Sequence, residues 1–160
     1  MNVTIDLQNA SGIRQVPLRR QFKHWAMTAL QHIDPAAGSL TLSIRLVDEA
    51  ESAELNGHYR GKHYATNILS FPADPALSDR LLGDLAICSQ VVQREAAEQG
   101  KSPDRHWTHL VVHGVLHLCG YDHEEEAEAE AMEALEVQIL ATLGIDDPYQ
   151  PLPQPLQEQS

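Results

Sequence analysis

The sequence predicts an α+β domain: a four-stranded mixed sheet packed with helices, around a central buried helix. Three observations carry that expectation. Hydropathy patterning reads in the order β-α-β-α-β-β-α-α-α, which fits helices packed on a four-stranded sheet. Residues 40–47, LTLSIRLV, alternate strictly between apolar and polar, as a half-buried strand does. Residues 103–118 are apolar on most sides of a helix yet carry histidines at 113 and 117, so the buried helix brings chemistry with it.

Each element has its own signal. Residues 3–7 alternate as a first strand. Residues 17–33 have helical apolar spacing, with Pro17 tolerated in a first turn. In the second strand Leu40, Leu42, Ile44 and Leu46 share one face. Residues 49–59 read as a short helix. Residues 67–71 and 81–88 are two more strands, joined by a loop carrying Pro72, Pro75 and Gly83. Residues 90–99 are helical and stop at Gly100. Ser102 then stands as an N-cap, Pro103 at the first helical position and Gly120 just past the end of the next helix. A final amphipathic helix spans residues 124–143, its acids gathered in the first turn where the helix dipole favours them, and ends at Gly144.

Length and charge bound the function. The 160 residues suit one domain, assigned to 1–147, with a Pro/Gln-rich flexible tail at 148–160. With 11 basic and 23 acidic residues the net charge is −12, but 42% hydrophobic content supplies a core. Residues 1–105 hold every Lys and Arg and a net charge of −1, whereas residues 106–160 hold a net of −11. The C-terminal third is therefore excluded as a phosphate-binding surface. No apolar run approaches the roughly 20 residues that span a bilayer. The start lacks a basic stretch followed by an apolar one, so no secretory signal is expected. Cys88 and Cys119 sit in apolar runs and read as buried thiols of a reducing compartment, which points to the cytoplasm.

Five of nine histidines lie between His106 and His123. His113 and His117 are four apart on a helix and project from one face. Gly120 can end that helix and turn the chain back, so that His123 presents a third imidazole to the same ion. Three neutral nitrogens plus an open position describe a catalytic zinc site. His109 lies on the same face and is a rival ligand, but three successive helical turns span too far to converge on one ion; it serves better as a supporting or substrate-side group. Asp122 either orients a ligand imidazole or belongs to the acidic start of the next helix. Cys119 follows His117 by two residues and faces away from the pair. The spacing H-x3-H-x5-H with an intervening glycine matches the metzincin peptidase pattern H-E-x-x-H-x-x-G-x-x-H. The general-base glutamate of that pattern is Gly114 here, so the metal geometry survives without the peptidase base.

Three ordered blocks carry a further resemblance. HGVLHLCGYDH (113–123) meets the signature HGxLHLxGYDH, LNGHYRGKHYATNILSFP (55–72) is similar to LNxxYRxKxxxTNVLSFP, and LLGDLAICSQVV (81–92) is similar to a third block. Over about residues 40–149 the chain resembles the YbeY family of bacterial endoribonucleases that mature ribosomal RNA. The resemblance implies one divalent ion, zinc above others, on His113, His117 and His123, and a functional Arg60. It implies single-stranded RNA as substrate, in 16S rRNA 3′-end maturation and ribosome quality control. Small-subunit ribosomal proteins or a ribosome-assembly GTPase are the implied partners, with neither membrane nor DNA.

Phosphodiester hydrolysis builds negative charge on the phosphate oxygens, which a metal polarises while activating a water. A guanidinium binds two such oxygens in a planar fork. The string His58-Tyr59-Arg60-Gly61-Lys62-His63 is basic in an acidic protein, so Arg60 is the candidate clamp, catalytic together with His113 and His117. Lys62 and His63 would steer RNA. Tyr59 could stack a base, whereas Phe71 suits buried packing. Asp84 could polarise a water but better fits a loop cap. Against RNA stands the net charge, since RNA binding rests on cations. Either Arg14, Arg19, Arg20, Lys23, Arg60 and Lys62 form one positive face, or a partner protein delivers the substrate. A metallopeptidase is supported by the histidine spacing and opposed by Gly114. A non-catalytic assembly factor with a structural metal is opposed by three ligands in place of four.

Overall fold

Apolar alternation in the strands and the apolar stripe of the helices meet in one core, and the order in which they meet sets the site. The computed structural model describes residues 1–122 and 124–149. In chain order these form β1 (Asn2–Asn9), α1 (Arg19–Ile33), β2 (Ser39–Val47), α2 (Glu49–Arg60), β3 (Ile68–Pro72), a 3-10 turn (Pro75–Leu77), β4 (Leu81–Cys88), α3 (Ser89–Glu98), α4 (Pro103–Leu118) and α5 (Glu126–Thr142). The sheet order is β1-β2-β4-β3. β1, β2 and β4 run parallel, and β3 closes one edge antiparallel to β4. The fold class is thus α+β on a four-stranded mixed sheet.

The inward face of β2 is the set read from alternation: Leu40, Leu42, Ile44 and Leu46 are all buried. In register, Ile44 sits between Leu7 of β1 and Leu85 of β4. α1 and α4 lie over this face, where Phe22 meets Trp25 and Trp107 edge-to-face at 5.6 and 6.0 Å. α4 is buried along most of its length, from His106 and Trp107 to Leu118. Its Gly114 faces the sheet so closely that a Cβ there would lie 2.8 Å from Ile68 Cδ1 and from Leu85 Cδ2. That missing side chain lets the helix backbone settle on β3 and β4.

Several boundaries differ from the sequence reading for local reasons. α1 begins at Arg19, not at Pro17, because the Leu18 N–H is satisfied by the Gln21 side chain at 2.7 Å. Gly83 is inside β4, paired with Pro72, and not in the preceding loop. α5 starts at Glu126, so Glu124 and Glu125 belong to the turn before it. Cys88 is buried, but Cys119 is only half-buried; burial pushes the Cys119 thiol up to about 11, with Asp34 adding to it. No helix among the described residues is long and apolar enough to cross a membrane. Of the tail assigned to 148–160, Pro148 and Tyr149 are described and 150–160 lie outside the described residues.

Candidate active site

The C-terminal half of α4, the edge strand β3, the end of α2 and the turn after α4 enclose a cleft of about 970 Å³. On its floor His113 and His117, one helical turn apart, bring their Nε2 atoms to 3.0 Å from each other. Two nitrogens each bonded to one zinc at tetrahedral angles stand about 3.3 Å apart. The donor pair therefore fits a divalent ion. The helix ends at Leu118, and Gly120 takes φ 95°, a left-handed conformation that turns the chain along the cleft wall. Tyr121 and Asp122 then line the cleft. His123, assigned as the third ligand, lies outside the described residues.

Behind His113 stands a group that the sequence reading did not single out. Glu136, on α5, is 0% exposed. Its Oε1 is 2.5 Å from His113 Nδ1 and its Oε2 is 3.2 Å from His109 Nε2, and the Tyr149 hydroxyl donates to Oε2 as well. Burial alone would raise this carboxyl, but the hydrogen bonds from His109, His113 and Tyr149 outweigh it and hold it at about 2. An ionised carboxylate only accepts, so both imidazole nitrogens that face it carry protons. With its proton on Nδ1, His113 presents a lone pair at Nε2, toward His117. Tyr149 keeps its proton, because burial and the Glu136 charge both push its phenol up. The signal for Glu136 was present but masked: among the many acids of residues 124–136, it alone is spaced three or four residues from each of Met132, Ile139 and Leu140, with which it is buried.

The rim is basic. Arg60, the last residue of α2, and Lys62 line the cleft opposite the histidines, and neither makes an ion pair among the described residues. The segment that carries them is tied to α2 from beneath. Ser52 Oγ donates to the Thr66 carbonyl and accepts from the Thr66 N–H, both at 2.9 Å, and Asn56 Nδ2 donates to the Tyr64 carbonyl at 2.9 Å. Ser52 and Asn56 are each 1% exposed. Further in, Asn67 on the cleft wall donates to Glu95, which also pairs with His106 at 2.9 Å. Burial pushes the Glu95 carboxyl up, but the bonds from His106 and Asn67, with the charges of His106 and Arg94, leave it below the usual range.

Comparison with known proteins decides the family. A family model described as Endoribonuclease YbeY matches residues 4–144. The chain belongs to the YbeY family. It is 56% identical over 150 residues to a protein named Endoribonuclease YbeY from Stutzerimonas stutzeri, covering 92% of this chain and 91% of that one. A Pseudomonas fluorescens protein of the same name is 55% identical over 148 residues, covering 91% and 95%. The solution structure of TM1509 from Thermotoga maritima shares the fold at a TM-score of 0.56 and 22% identity, covering 92% of this chain and 99% of that one.

Within this YbeY-family chain the cleft brings together Arg60, Lys62, His113 and His117 but not every residue the sequence offered. His63 lies outside the lining; its Nδ1 packs over Gly57 of α2, where a Cβ would come within 2.9 Å. His109 does not reach the pair: its ring is 6.3 Å from that of His113, centre to centre, and it contacts the site through Glu136. Asp84 is exposed in mid-strand, paired across the sheet with Phe71 and Ser43, and is not a loop cap. Phe71 is half-exposed on the cleft wall instead of buried, at the end of the edge strand, where only Tyr59 of α2, itself 60% exposed, is seen to lean on its ring, edge-on at 4.9 Å, among the described residues. Glu124 is exposed and also lines the cleft. Cys119 lines a separate hollow with Leu30 and Asp34, away from the histidine pair.

Proposed function

We propose that this chain is a cytoplasmic, metal-dependent endoribonuclease that cleaves single-stranded RNA, with 16S rRNA 3′ ends as its substrate and ribosome quality control as its setting. The observation that carries the reading is one cleft that brings two imidazole nitrogens 3.0 Å apart together with the cations of Arg60 and Lys62. Membership in a family named for endoribonuclease activity supports it.

His113 and His117 hold the ion, with His123 as third ligand, and zinc suits an all-imidazole set. When bound, such an ion supplies Lewis-acid chemistry and an activated water. The protein's own groups do the rest. Arg60 grips the non-bridging oxygens of the scissile phosphate and offsets the charge that builds there. Lys62 adds a second cation to the same phosphate or its neighbour. The exposed ring of Tyr59 offers a face to an unstacked base, which a duplex does not present, so the site favours single strands. A net charge of −12 leaves little general attraction for RNA. Delivery by a small-subunit ribosomal protein or an assembly GTPase answers that shortfall. The peptidase reading fails on sterics as well as chemistry, because position 114 faces the sheet and a glutamate there would be buried among Ile68 and Leu85 rather than beside the ion.

The reading is tested by incubating single-stranded and structured rRNA fragments with zinc-loaded protein, chelated protein and His117→Ala. Cleavage restricted to single strands and to zinc-loaded wild type is expected. Equal cleavage by chelated protein would overturn the metal role, and no RNA cleavage under any metal would overturn the nuclease.

A further inference from the structure

A carboxylate with no exposure, inside a domain whose other acids are mostly at the surface, needs a reason, since burying charge costs more than a surface contact returns. Glu136 has four lone-pair positions and three donors aimed at them: His113 Nδ1, His109 Nε2 and the Tyr149 hydroxyl. These come from the middle of α4 and from beyond the end of α5, so the carboxylate is gripped from two directions. One donor belongs to a floor histidine of the cleft; the other two fasten the oxygen that histidine does not use. An imidazole left alone samples both neutral tautomers, and only one of them leaves Nε2 free to bind a metal.

We propose that Glu136 is a positioning residue of the metal centre: its buried carboxylate, braced by His109 and Tyr149, locks His113 in the Nδ1–H tautomer and aims the Nε2 lone pair at the ion. This rests on the proposed metal role of His113. A carboxylate behind a ligand imidazole fixes ring orientation and raises ligand basicity, and losing such a partner weakens metal binding about 10–100-fold. Glutamine in its place offers one acceptor and one NH2. If the NH2 faces Nδ1, His113 must accept there and carry its proton on Nε2, the nitrogen the ion needs.

Two measurements on the full chain test this without reference to RNA cleavage. The first is zinc affinity, by competition against a chromophoric chelator, for wild type and Glu136→Gln. The second is the tautomer of His113 in metal-free wild type, read from long-range proton–nitrogen correlations of its ring. We expect one zinc per wild-type chain, a 10–100-fold weaker affinity in Glu136→Gln, and the Nδ1–H tautomer. A folded Glu136→Gln that binds zinc as wild type does would overturn the proposal, even if its melting temperature drops, because Glu136 would then only join α4 to α5. A dominant Nε2–H tautomer in wild type would overturn it equally, and this readout decides the matter if the variant does not fold. Wild type that binds no zinc would instead remove the metal reading itself, while the tautomer would still report whether Glu136 orients His113.

Discussion

At the floor of the cleft the polar groups are half-buried or buried, close and mutually committed: His113 is bonded to Glu136 behind it and meets His117 at 3.0 Å in front. At the rim they are exposed and uncommitted: Arg60 and Lys62 lack ion-pair partners among the described residues, and Tyr59 is 60% exposed. The two regions meet different demands. A metal requires lone pairs aimed within narrow limits, so the floor is built on a rigid helix with a second helix packed behind it. A flexible polyanion requires charge more than angle, so the rim can sit on a helix end and a loop. That loop is still held, because the buried Ser52 and Asn56 satisfy its backbone at Tyr64 and Thr66.

Breaking the floor has the largest expected effect. His117→Ala should bring zinc content, measured by elemental analysis, near zero and lower RNA cleavage to that of the chelated protein. His109→Ala, which removes a brace of Glu136 and not a ligand of the pair, should keep its zinc at saturating metal; loss of bound metal in both would dissolve the distinction between holding the ion and supporting the site. Loosening the rim from beneath comes next. Asn56→Ala strands the Tyr64 carbonyl and should destabilise by about 1–3 kcal/mol in denaturant melts, with RNA cleavage reduced and zinc affinity intact. A zinc affinity that falls with it would mean that rim and floor are one unit.

Smaller effects sharpen the contrast. Tyr59→Ala should weaken binding of single-stranded RNA by about 1–3 kcal/mol in fluorescence titrations and leave duplex RNA unaffected; equal losses for both would return Tyr59 to a packing role against Phe71. The smallest effect lies behind the cleft wall, where the Glu95 carboxyl is held below its usual range against burial by His106 and Asn67. A depressed carboxyl stabilises the fold above its unfolded value, about 4.3, and that contribution is lost as pH falls through the folded value. Below about pH 4 the melting temperature of wild type should therefore fall more steeply than that of Glu95→Gln. Parallel curves would show that the His106–Glu95 contact adds no net charge stabilisation.

What the sequence revealed follows the same division. Local periodicity exposed the strands, since Leu40, Leu42, Ile44 and Leu46 alternate, and exposed the His113/His117 pair, since four residues make one helical turn. Local caps placed α4 correctly from Pro103 to Leu118. Periodicity could not say that the end of α2 faces the end of α4 across β3, because that depends on a sheet order of β1-β2-β4-β3. The Arg60 assignment therefore rested on a basic string in an acidic protein together with the resemblance, and Phe71 was misjudged because burial at the end of an edge strand is set by neighbours distant in sequence. Glu136 was lost among neighbouring acids whose number suggested a solvated face; its place between Met132 and Leu140 on one stripe was the clue.

The central claim is that floor and rim act on one phosphodiester, with the metal held by the first and the charge answered by the second. Single-turnover cleavage of a single-stranded 16S 3′-end fragment by Arg60→Ala, with zinc quantified in the same sample, tests it most directly. The account predicts one zinc per chain, an unchanged melting temperature and cleavage slowed by about 10²–10³-fold. Cleavage at the wild-type rate, or a loss of cleavage that tracks a loss of zinc or of folding, would contradict it.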